Sequence, residues 1–158
     1  MSESPVGGAL HEPTPGLTPG HAFEAFDLRT VEVPGADWAM EMEITPQVVN
    51  SSGVLQGGLL TTLVDLVAGT AIWRGATVPQ KGGATVPQKG STTELHVSFL
   101  AAARVGPVRA TAHVLRRGKR SVVVRVDVHD RGADDLYVAT ATLTFAVRPP
   151  EGTPGTAP

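Results

Sequence analysis

The chain has 158 residues, 41% of them hydrophobic, and a formal net charge of −2; this size supports one well-buried core and is too short for two ordinary domains. A charge so close to neutral gives no electrostatic reason to expect nucleic acid or an anionic membrane as partner. Cysteine is absent, which excludes a disulfide framework, a thiolate zinc site, an iron–sulfur cluster and a cysteine nucleophile.

Met1–Gly20 is rich in Pro, Gly, Thr and Ala with little to bury, and is expected to be a disordered tail. It lacks a basic stretch followed by an apolar run, so no secretory signal is expected and the cytoplasm is the expected location. A single domain is expected over residues 21–148. Within it Ala22–Phe26 reads as a helical turn, and Leu28–Val33 and Trp38–Thr45 as two strands around the turn Pro34-Gly35-Ala36-Asp37. After a loop at Pro46–Gly53, the stretch Gly57–Trp73 reads as one helix. Leu59, Leu60, Leu63, Leu66, Val67, Thr70 and Ala71 recur at three- and four-residue spacing. Its other faces are also mostly apolar, so burial nearly all round is expected. At fifteen residues from Leu59 the apolar run is too short to span a bilayer, and it contains an Asp.

The next segment repeats itself: Gly75–Gly82 reads GATVPQKG, and Gly83–Gly90 repeats it letter for letter. So short a period is not a solenoid unit. The Pro and Gly content predicts a loop over residues 75–90, as either a tolerated insertion or a rim element carrying Lys81 and Lys89 toward an anionic substrate. Four strand-like runs follow. Thr93, Leu95, Val97 and Phe99 alternate with Thr92, Glu94, His96 and Ser98. Val108–Val114, Val122–Val128 and Ala139–Phe145 alternate in the same way. Short connections at Ala103–Gly106, Arg117–Lys119 and Arg131–Asp135 imply antiparallel hairpins. Pro149–Pro158 is expected to be a second disordered tail. One buried helix followed by an antiparallel meander is an α+β plan, with the sheet wrapping the helix.

Between Glu43 and Arg74 the only charged residue is Asp65, flanked by Leu63, Val64, Leu66 and Val67. A carboxylate in such surroundings must find hydrogen-bonding partners or face a pocket. On the residues alone it fits equally an acid at a polar seam of the helix and a catalytic base. Upstream, Gln56-Gly57-Gly58 places two glycines at the helix start, where free N–H groups and the dipole favour developing negative charge. A donor one to two turns before a carboxylate suits acyl transfer. His96 and His113 lie on polar strand faces, and no His, Asp or Glu cluster has metal-ligand spacing, so neither a metal nor another cofactor is expected.

These residues resemble the hotdog-fold thioesterases, in particular the PaaI-like (phenylacetic-acid-pathway) acyl-CoA thioesterases. The pattern is Asn50, Gly53, Gln56-Gly57-Gly58, then Asp65 nine residues after Gln56. Thr92-Thr93-Glu94-Leu95-His96-Val97-Ser98-Phe99-Leu100 follows, and then the basic hairpin Arg116-Arg117-Gly118-Lys119-Arg120-Ser121. The likeness covers roughly Trp38–Val147. It implies a hotdog fold and hydrolysis of acyl-CoA to free acid and CoA. Asp65 would be general base or nucleophile, the Gly57 N–H the oxyanion donor with Gly58 beside it, and Asn50 an orienting group. Thr92 would hold the water or the carboxylate, and Lys119, Arg120 and Ser121 would contact the CoA phosphates. The likeness also implies a site shared between subunits of a homodimer or a dimer of dimers. Gln56 stands where many members have His, and the second octapeptide copy lengthens the interval from Asp65 to Thr92. Those departures keep open a non-catalytic acyl-CoA-binding module. A dehydratase or hydratase would need a His that Asn50–Asp65 does not contain.

Overall fold

The computed structural model describes residues 23, 26–75, 77–79, 85–87 and 90–147. Both expected tails, most of the expected turn at Ala22–Phe26, and Lys81 and Lys89 lie outside the described residues. In chain order the elements are β1 (Leu28–Thr30), β2 (Trp38–Met42), α1 (Gly57–Gly75), β3 (Thr77–Pro79), β4 (Thr85–Pro87), β5 (Gly90–Phe99), β6 (Val108–Arg117), β7 (Ser121–Asp130) and β8 (Leu136–Val147). Six of the strands form one antiparallel sheet in the order β1-β2-β6-β7-β8-β5, and α1 packs on it. This is the α+β hotdog arrangement expected from the sequence.

The alternation in β6, β7 and β8 explains the packing. Val108, Ala110 and Ala112 on β6, and Val122, Val124, Val126 and Val128 on β7, are fully buried against the helix side of the sheet. They meet Leu60, Leu63, Val64, Val67, Ala68, Ala71 and Ile72 of α1. The expectation of a helix buried nearly all round is corrected: a stripe at three- and four-residue spacing is buried, while Asp65, Leu66, Gly69 and Thr70 are half-buried and Trp73 is exposed. These residues share the opposite face, which Thr92 of β5 and Phe145 of β8 border.

Within the octapeptide repeat, expected as a loop, Thr77–Pro79 and Thr85–Pro87 form two short strands. β3 and β4 pair antiparallel with Thr77 opposite Pro87, Val78 opposite Val86 and Pro79 opposite Thr85. Each copy supplies the partner of the other.

On the outer face of the sheet, Glu41 is buried and accepts from Arg29 (Nη2, 2.6 Å) and Arg109 (Nε, 2.8 Å), its cross-strand neighbours. Burial pushes its carboxyl pKa up, but the two guanidinium groups outweigh that and the net direction is down. A carboxyl held lower in the folded than in the unfolded chain contributes stability above the unfolded pKa and loses it as pH falls. In urea titrations below about pH 5, Glu41→Gln is therefore expected to flatten the acid-side decline of stability; an unchanged slope would show that the pair of arginines does not set it.

Candidate active site

Helix α1 begins at Gly57, and Gln56 is its cap: its backbone carbonyl accepts from Leu59 and Leu60, and its side-chain Oε1 accepts the Leu59 N–H at 2.9 Å. The acceptor end of Gln56 is thus committed to the helix, and the amide NH2 is the end left to meet a carbonyl. The glycines that follow are tightly set. A Cβ on Gly58 would lie 2.9 Å from Gln56 Oε1, and one on Gly57 would lie 3.4 Å from Phe99 Cζ. A side chain at Gly58 would therefore displace the cap.

Asn50 folds the loop ahead of the helix. Its Oδ1 accepts the backbone N–H of Ser52 (2.9 Å) and Val54 (3.2 Å), and Gly53 turns the chain at φ +66°. This places Asn50 as the organiser of the approach to α1, with its carbonyl oxygen used inside the loop.

Two turns into α1, half-buried Asp65 accepts a 2.7 Å hydrogen bond from Thr92 Oγ1. Together they border an open cavity of about 390 Å³ floored by Leu66 and Gly69, with Trp73 and Phe145 as aromatic walls. Asp65, Gly69 and Trp73 follow at four-residue spacing, so one helix face carries the groove from the carboxylate to the C-terminal turn.

The Thr92 contact depends on an irregularity. Leu95, Val97 and Phe99 pair with Leu143, Ala141 and Ala139, whereas Thr92 pairs with Phe145 and Glu94 with Thr144. The partners of Thr92 and Glu94 are adjacent on β8, so Thr93 is an extra residue, a β-bulge whose hydroxyl donates to the Thr144 carbonyl at 3.0 Å. Strict alternation would turn Thr92 away from the helix; the bulge turns it toward Asp65.

The other expected site residues fall in two groups. Ser121 pairs with Ala146, which pairs with Ser91 beside Thr92, so exposed Lys119, Arg120 and Ser121 share one end of the sheet with the Asp65–Thr92 contact. Gln56, Gly57 and Gly58 stand at the other end, beside Phe99. Gly57 and Asp65 are eight residues apart, about 12 Å of helix rise, so one thioester carbonyl cannot touch both groups of a single helix. The same-helix pairing read from the sequence is corrected on that ground. His96 and His113 lie in one row of the outer sheet face, through Thr142 and Arg125, away from the groove. Among the described residues no group of three His, Cys, Asp or Glu is arranged around a metal, and no helix is long and apolar enough to cross a membrane.

Comparison with known proteins agrees with this architecture. The thioesterase superfamily profile matches residues 52–136, more than half of the chain. A Caenorhabditis elegans protein named as an esterase is 41% identical over 126 residues, which are 79% of this chain and 69% of that one. The medium/long-chain acyl-CoA thioesterase YigI of Salmonella typhimurium is 29% identical over 102 residues, which are 61% of this chain; the match spans 64% of that relative's length. A thioesterase crystal structure from Haemophilus influenzae superposes with a TM-score of 0.69 at 17% identity, covering 82% of this chain and 83% of that one, and so shares the fold. Helix, wrapped sheet and sequence together place the chain in the thioesterase superfamily.

Proposed function

We propose that the protein hydrolyses acyl-CoA thioesters, releasing the free acid and CoA. The observation that carries this reading is the Asp65–Thr92 hydrogen bond at the edge of an aromatic-walled groove, on a fold whose relatives include acyl-CoA thioesterases. Asp65 takes the proton of an attacking water, or attacks the thioester carbon itself, and Thr92 fixes the carboxylate. The C–S bond breaks and CoA leaves as the thiolate, which then takes a proton; where Asp65 is itself the nucleophile, water then cleaves the acyl–Asp65 anhydride, releasing the acid and restoring the carboxylate. Backbone N–H groups at a helix start, with the Gln56 amide beside them, receive the negative charge that develops on the carbonyl oxygen. Asn50 keeps its implied role through the loop that it folds.

Because one helix cannot supply both groups to one carbonyl, the site is assembled from two copies of the chain. The groove of one protomer faces the helix start of the other. The ten-residue edge strand β5 offers unpaired backbone groups for joining the copies, and Phe99 and Leu100, both more than half exposed, supply apolar surface at its end. A homodimer is the minimal unit, and a dimer of dimers fits equally. Lys119, Arg120 and Ser121 bind the CoA phosphates. The motif spacing from Asn50 to Asp65 supports a PaaI-like enzyme, and a CoA-dependent reaction fits a cytoplasmic one.

A panel of acyl-CoAs with free-thiol detection, run beside sedimentation, tests the proposal. Turnover confined to the dimer or a larger assembly supports it. CoA binding without turnover on any acyl group sinks the hydrolase reading in favour of an acyl-CoA-binding module.

A further inference from the structure

Asp130, at the end of β7, is fully buried and takes no part in the proposed hydrolysis. Its carboxylate gathers the loop between β5 and β6: Oδ2 accepts the N–H of Arg104 (2.8 Å) and Val105 (3.0 Å), and Oδ1 accepts that of Gly106 (2.8 Å). Gly132 lies flush against the same loop, since a Cβ there would overlap the Gly106 carbonyl oxygen and press on Val105. The loop is therefore held from beneath by charge-assisted hydrogen bonds and from the side by close packing.

That loop in turn grips the segment leading into α1. The Ala103 carbonyl accepts the Leu55 N–H at 2.9 Å, and Arg104 Nη1 donates to the Ser52 carbonyl at 3.0 Å. On the other side Val48 O accepts the Gln56 N–H at 2.9 Å. Leu55 is two residues ahead of Gly57, so a short path of hydrogen bonds and intervening backbone leads from Asp130 to the helix start.

The geometry points to Asp130 and Arg104 as positioning residues that set the aim of the Gly57 N–H at the substrate carbonyl. This inference rests on the proposed oxyanion role of the helix start. Neither residue touches substrate. Asp130 fixes the loop, and Arg104 transmits its position to residues 52–55. Arg104 is exposed, and an exposed contact of this kind contributes little to global stability, so its effect is on placement and not on folding.

The test compares wild type with Arg104→Met, Arg104→Lys, Gly132→Ala and Asp130→Asn in the assembled enzyme. Arg104→Met is expected to lower kcat about tenfold, as a sub-ångström misplacement of a donor does, with KM and thermal midpoint little changed. Arg104→Lys, which keeps a donor, restores part of the loss. Gly132→Ala and Asp130→Asn act more strongly, and if either fails to fold the arginine pair still decides the matter. A second readout is the infrared carbonyl stretch of a bound ketone analogue of acyl-CoA, in which a methylene separates sulfur from the carbonyl. It should shift to lower frequency in wild type and move back toward the free value in Arg104→Met. The same shift and the same kcat in both proteins would overturn the positioning role while leaving the oxyanion reading intact. Absence of the shift in wild type would instead remove the oxyanion reading, and the inference with it.

Discussion

Asp65→Asn is expected to lower kcat for acyl-CoA hydrolysis by about 100- to 10,000-fold, the range for loss of a positioned general base, with CoA binding and oligomeric state retained. The replacement is well matched to the site. Asn keeps an oxygen that accepts the Thr92 hydroxyl, now at 2.7 Å, so the side chain stays in place while its charge and basicity are removed. It also keeps the volume of the groove edge, so substrate still enters between Trp73 and Phe145. Stopped-flow thiol release on wild type and variant, with CoA affinity measured in parallel, separates chemistry from binding. Equal turnover in the two proteins would take Asp65 out of the reaction; loss of CoA affinity in the variant would make its role one of binding.

Thr92→Val is expected to lower kcat/KM by roughly 100-fold, the cost of misplacing a catalytic group. It removes the hydroxyl that holds Asp65 at 2.7 Å and nearly keeps the side chain's shape. Deleting Thr93 supplies the contrast. It takes out the extra residue and leaves Thr92 opposite Phe145 and Glu94 opposite Thr144, so Leu95, Glu94 and Thr92 follow in simple alternation and Thr92 keeps its inward face. Activity of the deletion should therefore stay within a few-fold of wild type, as should that of Thr93→Ala, which sacrifices only the 3.0 Å bond to Thr144. Circular dichroism should be alike for the three variants, because β5 keeps its ladder to β8 from Glu94 to Phe99. Wild-type turnover in Thr92→Val would take the hydroxyl out of the site, and a loss on deletion as large as that of Thr92→Val would show that the face of Thr92 is not set by this count.

The bulge also marks where reading residues in order stops working. Alternation predicted β5 to β8 because period-two burial is a local property, and the four-valine face of β7 is fully buried as that pattern required. Alternation alone assigned Thr92 to the face opposite Leu95; only the family spacing placed it in the site. A bulge is set by tertiary pairing, here the adjacency of Phe145 and Thr144 on β8, and no local signal in Ser91-Thr92-Thr93 announces it. The helix was legible for the same reason as the strands, but its burial was not. Apolar residues all round α1 read as a core helix, whereas one face borders the groove. Nothing in the sequence singles out Asp130 or Arg104. A terminal Asp after a valine strand looks like any solvated turn residue, and its burial depends on a loop 25 positions earlier.

The pairing of the two octapeptide copies has a consequence for how such a chain changes length. Val78 faces Val86, its own duplicate, with each Thr opposite the other copy's Pro. A repeat of this kind carries its own hydrogen-bonding partner, since Thr77–Pro79 and Thr85–Pro87 pair with each other and join none of the six strands of the main sheet. Extra length between α1 and β5 can therefore be accommodated without a change in the order of the strands that build the groove.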